Sequence, residues 1–251
     1  MSFYLPLGDD QFRPTRSTES PWDGEMQHGG PPAALLGRVL TVDGLRLARI
    51  SVDFLGPIPR RDFRIEMSPL KPGRLTTLNE ARMVVDGRVA GTARGWHLAP
   101  GPRPPVSTPA EHADPLPADE STFRGMEDWG YGQAIEWRVT KGALGVPGGE
   151  TRVWTRVRMP LIDDEEISGQ DRALIVADSA NGLSAVLPMT EWLSIPPTMT
   201  TTLLRPATGE WVHLACRTTL SDDGIGLAAG ELYDVDGSIG QVAQPLLVRA
   251  R

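Results

Sequence analysis

The sequence predicts an α+β fold built as a tandem repeat, in which each half is a helix wrapped by a mainly antiparallel sheet. Three observations support this prediction: two similar β-rich stretches, a helical pattern before each of them, and a proline-rich segment between the halves. A chain of 251 residues has room for one large domain or two small ones. The repeat favours two.

The two β-rich stretches are residues 50–98 and 199–248. Each is predicted to form a strand, a proline-containing turn, two further strands, an Asp-Gly turn and a last strand. The matching turn residues are Pro57 and Pro206, then Asp86-Gly87 and Asp236-Gly237. An Asp-Gly pair between alternating apolar runs is typical of a β-hairpin, because both turn residues need a positive φ. The alternative is a chance similarity between two β-meanders, since hairpins resemble each other.

A helical segment is predicted before each β-rich stretch. The first covers residues 30–40, where Pro31 and Pro32 fit the first turn because its N–H groups need no partner within the helix. The second covers residues 171–187, where apolar residues recur at steps of three and four. Small residues on that apolar stripe favour close packing of the helix on a sheet.

Residues 99–117 are rich in proline and are predicted to form an extended linker. Two more strands are predicted after it, at residues 133–140 and 151–158. We therefore expect an N-terminal domain at residues 1–105, a linker at 106–130 and a C-terminal domain at 131–251.

Composition excludes several classes of protein. The net charge of -7 and the scattered basic residues argue against nucleic-acid binding, which needs a concentrated positive surface. Cys216 has no partner for an intramolecular disulfide, and the four histidines have no metal-ligand spacing, so we expect no metal. We see neither a signal peptide nor an apolar run that would span a membrane, and we expect a cytoplasmic protein.

Four short motifs, in order along the chain, carry a family resemblance. They are HGGPPAALL at residues 28–36, ADSANG at 177–182, LRP at 204–206 followed by GEW at 209–211, and VAQ at 242–244 before LVR at 247–249. From Trp22 to Arg249 the chain resembles the double-hotdog acyl-CoA thioesterase family, in its actinobacterial-type branch. The resemblance implies a tandem hotdog fold: two long helices, each wrapped by an antiparallel sheet, with the sheets joined side by side. It also implies an acyl-CoA substrate, hydrolysis by an activated water and no cofactor, and by analogy we expect a homodimer.

The resemblance also implies catalytic residues. Asp178 falls on the family's helix Asp, which activates water, and Gln244 falls on the Gln that holds this water. The hydroxyl residue of the family falls on Pro196, which has no side-chain donor, so we expect Thr198 or Thr200 to replace it. From the residues alone, Asp178 fits a water-activating base as well as a carboxylate that points to solvent.

Residues at the start of the first helix are expected to contact the substrate. His28, Gly29 and Gly30 would let the thioester approach the backbone, whose free N–H groups face a developing oxyanion. Asn181 shares one helical stripe with Asp178 and is expected to bind substrate as well. His28 is expected to orient and not to react. The competing hypothesis, motivated by Pro196, is a non-catalytic acyl-binding protein that keeps the fold.

Overall fold

A computed structural model describes residues 1–106 and 108–251 of the chain. The strands of the first half are β1 (Tyr4–Gly8), β2 (Gln11–Pro14), β3 (Arg46–Phe54), β4 (Phe63–Lys71), β5 (Thr76–Val85) and β6 (Arg88–Leu98). Those of the second half are β7 (Ile135–Lys141), β8 (Glu150–Val157), β9 (Trp192–Ile195), β10 (Thr198–Leu203), β11 (Trp211–Leu220), β12 (Ile225–Asp234) and β13 (Gly237–Ala250). The α-helices are α1 (Gly30–Val39), α2 (Gly130–Gln133), α3 (Gly169–Ala177) and α4 (Ala180–Leu183).

All of these strands belong to one antiparallel sheet with the order β1-β2-β4-β5-β6-β3-β10-β13-β12-β11-β8-β7, and β9 pairs with β13. The two halves meet where β3 pairs with β10, through residues 49–53 and 198–202. On either side of this junction the strands follow each other in mirrored order, which is the signature of the repeat. The predicted α+β architecture, with two sheets joined side by side, is therefore confirmed.

The two Asp-Gly turns form where the repeat predicted them, but with different backbones. Asp86 and Gly87 both have positive φ, 47° and 77°, as expected for a two-residue hairpin loop. In the second turn only Gly237 has a positive φ, 116°. There the Asp234 carboxylate accepts the N–H of Asp236 at 2.9 Å and holds that residue in the more common conformation.

The helices pack against each other and against the inner face of the sheet. Helix α1 starts at Gly30 with its prolines in the first turn, as predicted. It approaches α3 so closely that a Cβ on Gly30 would lie 2.1 Å from the carbonyl oxygen of Ile175. The helix predicted at residues 171–187 forms only in part, because it is interrupted between α3 and α4. This interruption lies at Asp178.

The proline-rich segment contains no helix or strand in its described residues, 99–106 and 108–117. Its later part runs over the outer face of the second half, where the indole N–H of Trp154 donates to Asp114 O at 2.8 Å and Ser238 N–H donates to Glu111 O at 2.9 Å. The exact domain boundaries stay a prediction.

Candidate active site

The helix of the second half breaks at Asp178, and side chains from other elements hold the break open. In a continuous α-helix the N–H of Asn181 would donate to the carbonyl of Ala177. Instead it donates to Gln244 Oε1 at 3.2 Å. Gln244 lies on β13 and is fully buried, so its amide oxygen replaces a helix carbonyl. The break thereby brings Asp178 and Gln244 together.

Asp178 is surrounded by groups from both halves of the chain. Its Oδ1 accepts a hydrogen bond from Gln244 Nε2 at 2.8 Å, and its Oδ2 lies 3.2 Å from His28 Nδ1. The side chain is 8% exposed. Burial raises the pKa of Asp178 to about 7, although the backbone N–H groups of Gly29 and Gly30 and the Gln244 amide oppose the rise. A carboxyl group that titrates near neutral pH is suited to acid–base work.

His28 provides an acceptor for the neutral form of that carboxyl group. Its Nδ1 accepts the N–H of Gly30 at 3.1 Å, so this nitrogen carries no proton. Burial lowers the pKa of His28 to about 3, and the ring is therefore uncharged. A proton on Asp178 Oδ2 would share the Nδ1 lone pair with the Gly30 N–H, whereas the ionised form places two acceptors face to face. With a pKa of about 7, Asp178 is present in both the protonated and the ionised form near neutral pH, and the ionised form can accept a proton.

The backbone of the loop before α1 lies close to the Asp178 carboxylate, because Gly29 and Gly30 have no side chains. A Cβ on Gly29 would lie 2.7 Å from Asp178 Oδ2 and 2.7 Å from Phe54 Cζ, so only glycine fits here. Pro31 and Pro32 have no N–H groups, which leaves Gly29 and Gly30 as the backbone donors of the first turn. Both N–H groups face Asp178, and that of Gly30 also donates to His28 Nδ1.

The structure brings together six of the eight residues expected at the site. They are His28, Gly29, Gly30, Asp178, Asn181 and Gln244. The Asn181 side chain is turned toward β9: its Nδ2 donates to Ser194 O at 2.8 Å, and its Oδ1 accepts from Ser194 Oγ at 2.9 Å. Its backbone N–H, and not its side chain, therefore contributes to the site.

The other two residues, Thr198 and Thr200, lie on the opposite face of the sheet. Thr200 pairs with Ala243, the neighbour of Gln244, and successive residues of a strand point to opposite faces. Thr198 Oγ1 donates to Val52 O at 2.9 Å, and Thr200 Oγ1 lies 3.1 Å from the hydroxyl of Ser51. Neither hydroxyl is beside Asp178, so the expectation that one of them completes the site is not met by the geometry.

Different residues of β10 occupy the inner face. By the same register Met199 falls opposite Gln244, and Thr201, with no exposed surface, is opposite Val242. Pro196 and Pro197 lie between β9 and β10 and cannot donate to a ladder. Strand β13 accordingly pairs with β10 only up to Ala243 and with β9 only from Leu247 onward.

Sequence reasoning missed Tyr131 on α2. Its ring stacks on His28 with a centroid distance of 3.8 Å, and its hydroxyl donates to Ile175 O at 2.7 Å. The sequence signal was slight, since α2 has only four residues and no apolar periodicity.

An apolar cavity adjoins His28 and Ser179, next to Asp178. Its aromatic and aliphatic lining comprises Phe123, Trp129, Trp137, Leu183 and Met189. The two indole N–H groups donate to backbone carbonyls outside the cavity, those of Glu19 at 2.7 Å and Gly132 at 2.9 Å. The walls therefore present apolar surface to whatever enters.

Three solved structures show the same fold over almost the whole chain. A hot dog fold protein from Alicyclobacillus acidocaldarius has a TM-score of 0.76 at 19% identity, covering 98% of this chain and 95% of its own. A tesB protein from Mycobacterium avium subs paratuberculosis has a TM-score of 0.71 at 16% identity, with coverages of 98% and 95%. An acyl-CoA thioesterase II from Mycobacterium marinum has a TM-score of 0.68 at 17% identity, covering 99% of this chain and 96% of its own. The predicted hotdog fold is confirmed.

Comparison with protein families gives two adjacent matches. A model of the acyl-CoA thioesterase N-terminal domain matches residues 18–98, and a model of the acyl-CoA thioesterase C-terminal domain matches residues 109–248. No curated protein sequence matched the chain. In the part of the chain that the structure describes, no helix is both long and apolar enough to cross a membrane, and no group of three or more potential metal ligands occurs.

Proposed function

The chain belongs to the acyl-CoA thioesterase family, and on this premise we propose that it hydrolyses an acyl-CoA thioester to a free acid and coenzyme A. The observation that supports the proposal most directly is the contact between Asp178 and Gln244 at the first turn of α1. It joins a buried carboxyl group of near-neutral pKa to an amide that fixes its position. We propose Asp178 as the general base and Gln244 as the residue that holds the water.

In the first step a water molecule attacks the thioester carbonyl carbon while Asp178 takes one of its protons. Gln244 Nε2 has two hydrogens, of which one is bonded to Asp178 Oδ1. The second is free to hold the attacking water. Since the amide is also fixed through its Oε1, its rotamer is set before the substrate arrives.

In the second step the tetrahedral intermediate collapses. Its oxyanion forms at the N-terminal end of α1, where the positive end of the helix dipole stabilises negative charge without reorganisation. The carbon–sulfur bond breaks, and Asp178 returns its proton to the departing thiolate of coenzyme A. Asp178 is thus ionised again at the end of the cycle, and no further reactant is consumed beyond the water.

The test is thiol release from short, long and aromatic acyl-CoAs by the native protein and by Asp178→Asn. Loss of the base should lower the rate about a hundredfold or more. Asp53→Asn is the matched control, because Asp53 is an exposed carboxylate on the outer face of β3. Equal rates for native protein and Asp178→Asn would place the chemistry elsewhere.

A second candidate function is acyl-CoA binding without hydrolysis. It is favoured by one observation: the residue of β10 opposite Gln244 is Met199, which offers no hydroxyl to the water. Calorimetry with acyl-CoA, run beside the thiol assay, separates the two candidates. Binding of an intact thioester with no thiol release from the native protein would support the second candidate and contradict the first.

A further inference from the structure

Tyr131 connects the helix break to the first half of the chain. It lies on α2, has no exposed surface and is fixed by its neighbours. Gly130 donates its N–H to Glu19 Oε2 at 2.8 Å, and a Cβ on Gly130 would lie 2.1 Å from Arg16 O. These two contacts fix the position of α2 against the N-terminal segment. Tyr131 projects from α2 toward α3.

The Tyr131 hydroxyl takes over a hydrogen bond that the broken helix has lost. In a continuous helix Ile175 O would accept the N–H of Ser179. Here Ser179 N–H donates to Val176 O at 3.0 Å, and Ile175 O accepts from Tyr131 at 2.7 Å. The same hydroxyl lies 2.9 Å from Ser179 Oγ. It bonds to residues on both sides of the break and satisfies the Ile175 carbonyl there.

The ring of Tyr131 contacts the other side of Asp178. It stacks on His28 with an interplanar angle of 11°, and His28 Nδ1 is 3.2 Å from Asp178 Oδ2. One residue therefore holds both the backbone that carries the carboxyl group and the imidazole that faces it. Both partners of its hydroxyl are protein groups, so no hydroxyl hydrogen is left to contact a substrate.

We propose that Tyr131 is a positioning residue of this site: its hydroxyl maintains the helix break that turns Asp178 toward Gln244 and His28. Without it Ile175 O is free to accept Ser179 N–H again, and the helix becomes regular through Asp178. The carboxyl group then moves away from the Gln244 amide and the glycine N–H groups that lower its pKa. The kinetic consequences rest on the proposed thioesterase function, whereas the structural consequences do not.

The test compares Tyr131→Phe, which keeps the stacked ring, with the native protein. We expect kcat to fall about tenfold with KM unchanged within about twofold, on the scale of a lost buried hydrogen bond. The lower inflection of the kcat pH profile should shift to higher pH. Tyr233→Phe, on the outer-facing side of β12, is the control and should change neither quantity.

Two measurements do not depend on activity. The titration of the Asp178 carboxyl carbon by ¹³C NMR should shift upward in Tyr131→Phe, and the amide of Ser179 should exchange more slowly with solvent as the helix becomes regular. These shifts in a protein with no thiol release would support the inference and contradict the proposed function. An unchanged titration and exchange rate would overturn the inference, whatever the activity. If Tyr131→Phe does not fold, the second variant is Ser179→Ala, which keeps the bond from Tyr131 to Ile175 O and should leave the titration unchanged; an upward shift in Ser179→Ala would assign the break to Ser179 and overturn the inference.

Discussion

Replacing Asp178 by Asn is expected to stabilise the folded protein, and the gain in the free energy of unfolding should grow with pH. The pKa of Asp178 is raised by burial from 3.8 to about 7. Below pH 3.8 the group is neutral in the folded and the unfolded chain, so its titration has no effect on stability. Between these two pKa values the unfolded chain loses the proton and the folded protein keeps it, which favours unfolding.

The size of this effect follows from the pKa difference. About three pKa units, at about 1.4 kcal/mol each, correspond to about 4 kcal/mol when both states are ionised. At about pH 5 only the first part of the penalty is present, about 1.5 kcal/mol, and at about pH 8 nearly all of it is. The asparagine side chain of the variant is never ionised, so the variant avoids the penalty at both pH values.

Urea denaturation of native protein and Asp178→Asn at pH 5 and pH 8 measures the difference. The variant should gain about 2 to 3 kcal/mol more at pH 8 than at pH 5. Asp53→Asn is the control and should change stability by less than about 0.5 kcal/mol. A gain for Asp178→Asn that is equal at both pH values, or a loss at pH 8, would show that the folded protein does not hold this carboxyl group in a strongly desolvated state.

Three further predictions concern the geometry around the site and the fold. Gly29→Ala should lower thiol release at least about tenfold and also lower the urea midpoint, since its methyl group would clash with the Asp178 carboxylate and with Phe54; native-like rates would contradict the close approach. The double variant Thr198→Val with Thr200→Val should keep its rate within about twofold, because both side chains face away from the site; a loss comparable to that of the base variant would return a hydroxyl to the mechanism. Arg205→Ala should destabilise the protein by about 3 kcal/mol, because it leaves the fully buried Asp234 carboxylate without its cation, 2.6 Å away; urea denaturation would contradict this if the loss were below about 1 kcal/mol.

The fold was largely predictable because its signals are local and occur twice. Asp86-Gly87 and Asp236-Gly237 mark hairpins through the backbone preferences of two residues, and Pro31 and Pro32 mark the start of α1 in the same way. None of these depends on a distant contact. The second helix was predicted too long for the opposite reason: its apolar steps continue past residue 178, and the groups that break it come from β13 and α2.

The candidate site was predictable where one residue type determines the role. The family resemblance indicated Asp178 and Gln244, and the structure brings them within 2.8 Å of each other. The expectation that Thr198 or Thr200 completes the site is not met, because both side chains lie on the face of β10 that points away from it. Which face a residue of β10 occupies depends on its register with β13, and the two prolines before β10 separate that register from the one set by β9.

The site takes His28 and Gly29 from one half of the chain and Asp178 and Gln244 from the other. If the two halves were separate chains, the site would form only after they associated, and dilution would dissociate it. Joined by the linker and by the pairing of β3 with β10, they stay at a high effective concentration that does not depend on how much protein is present. The specific activity of the chain should therefore stay constant on dilution, even at concentrations where association between chains is lost.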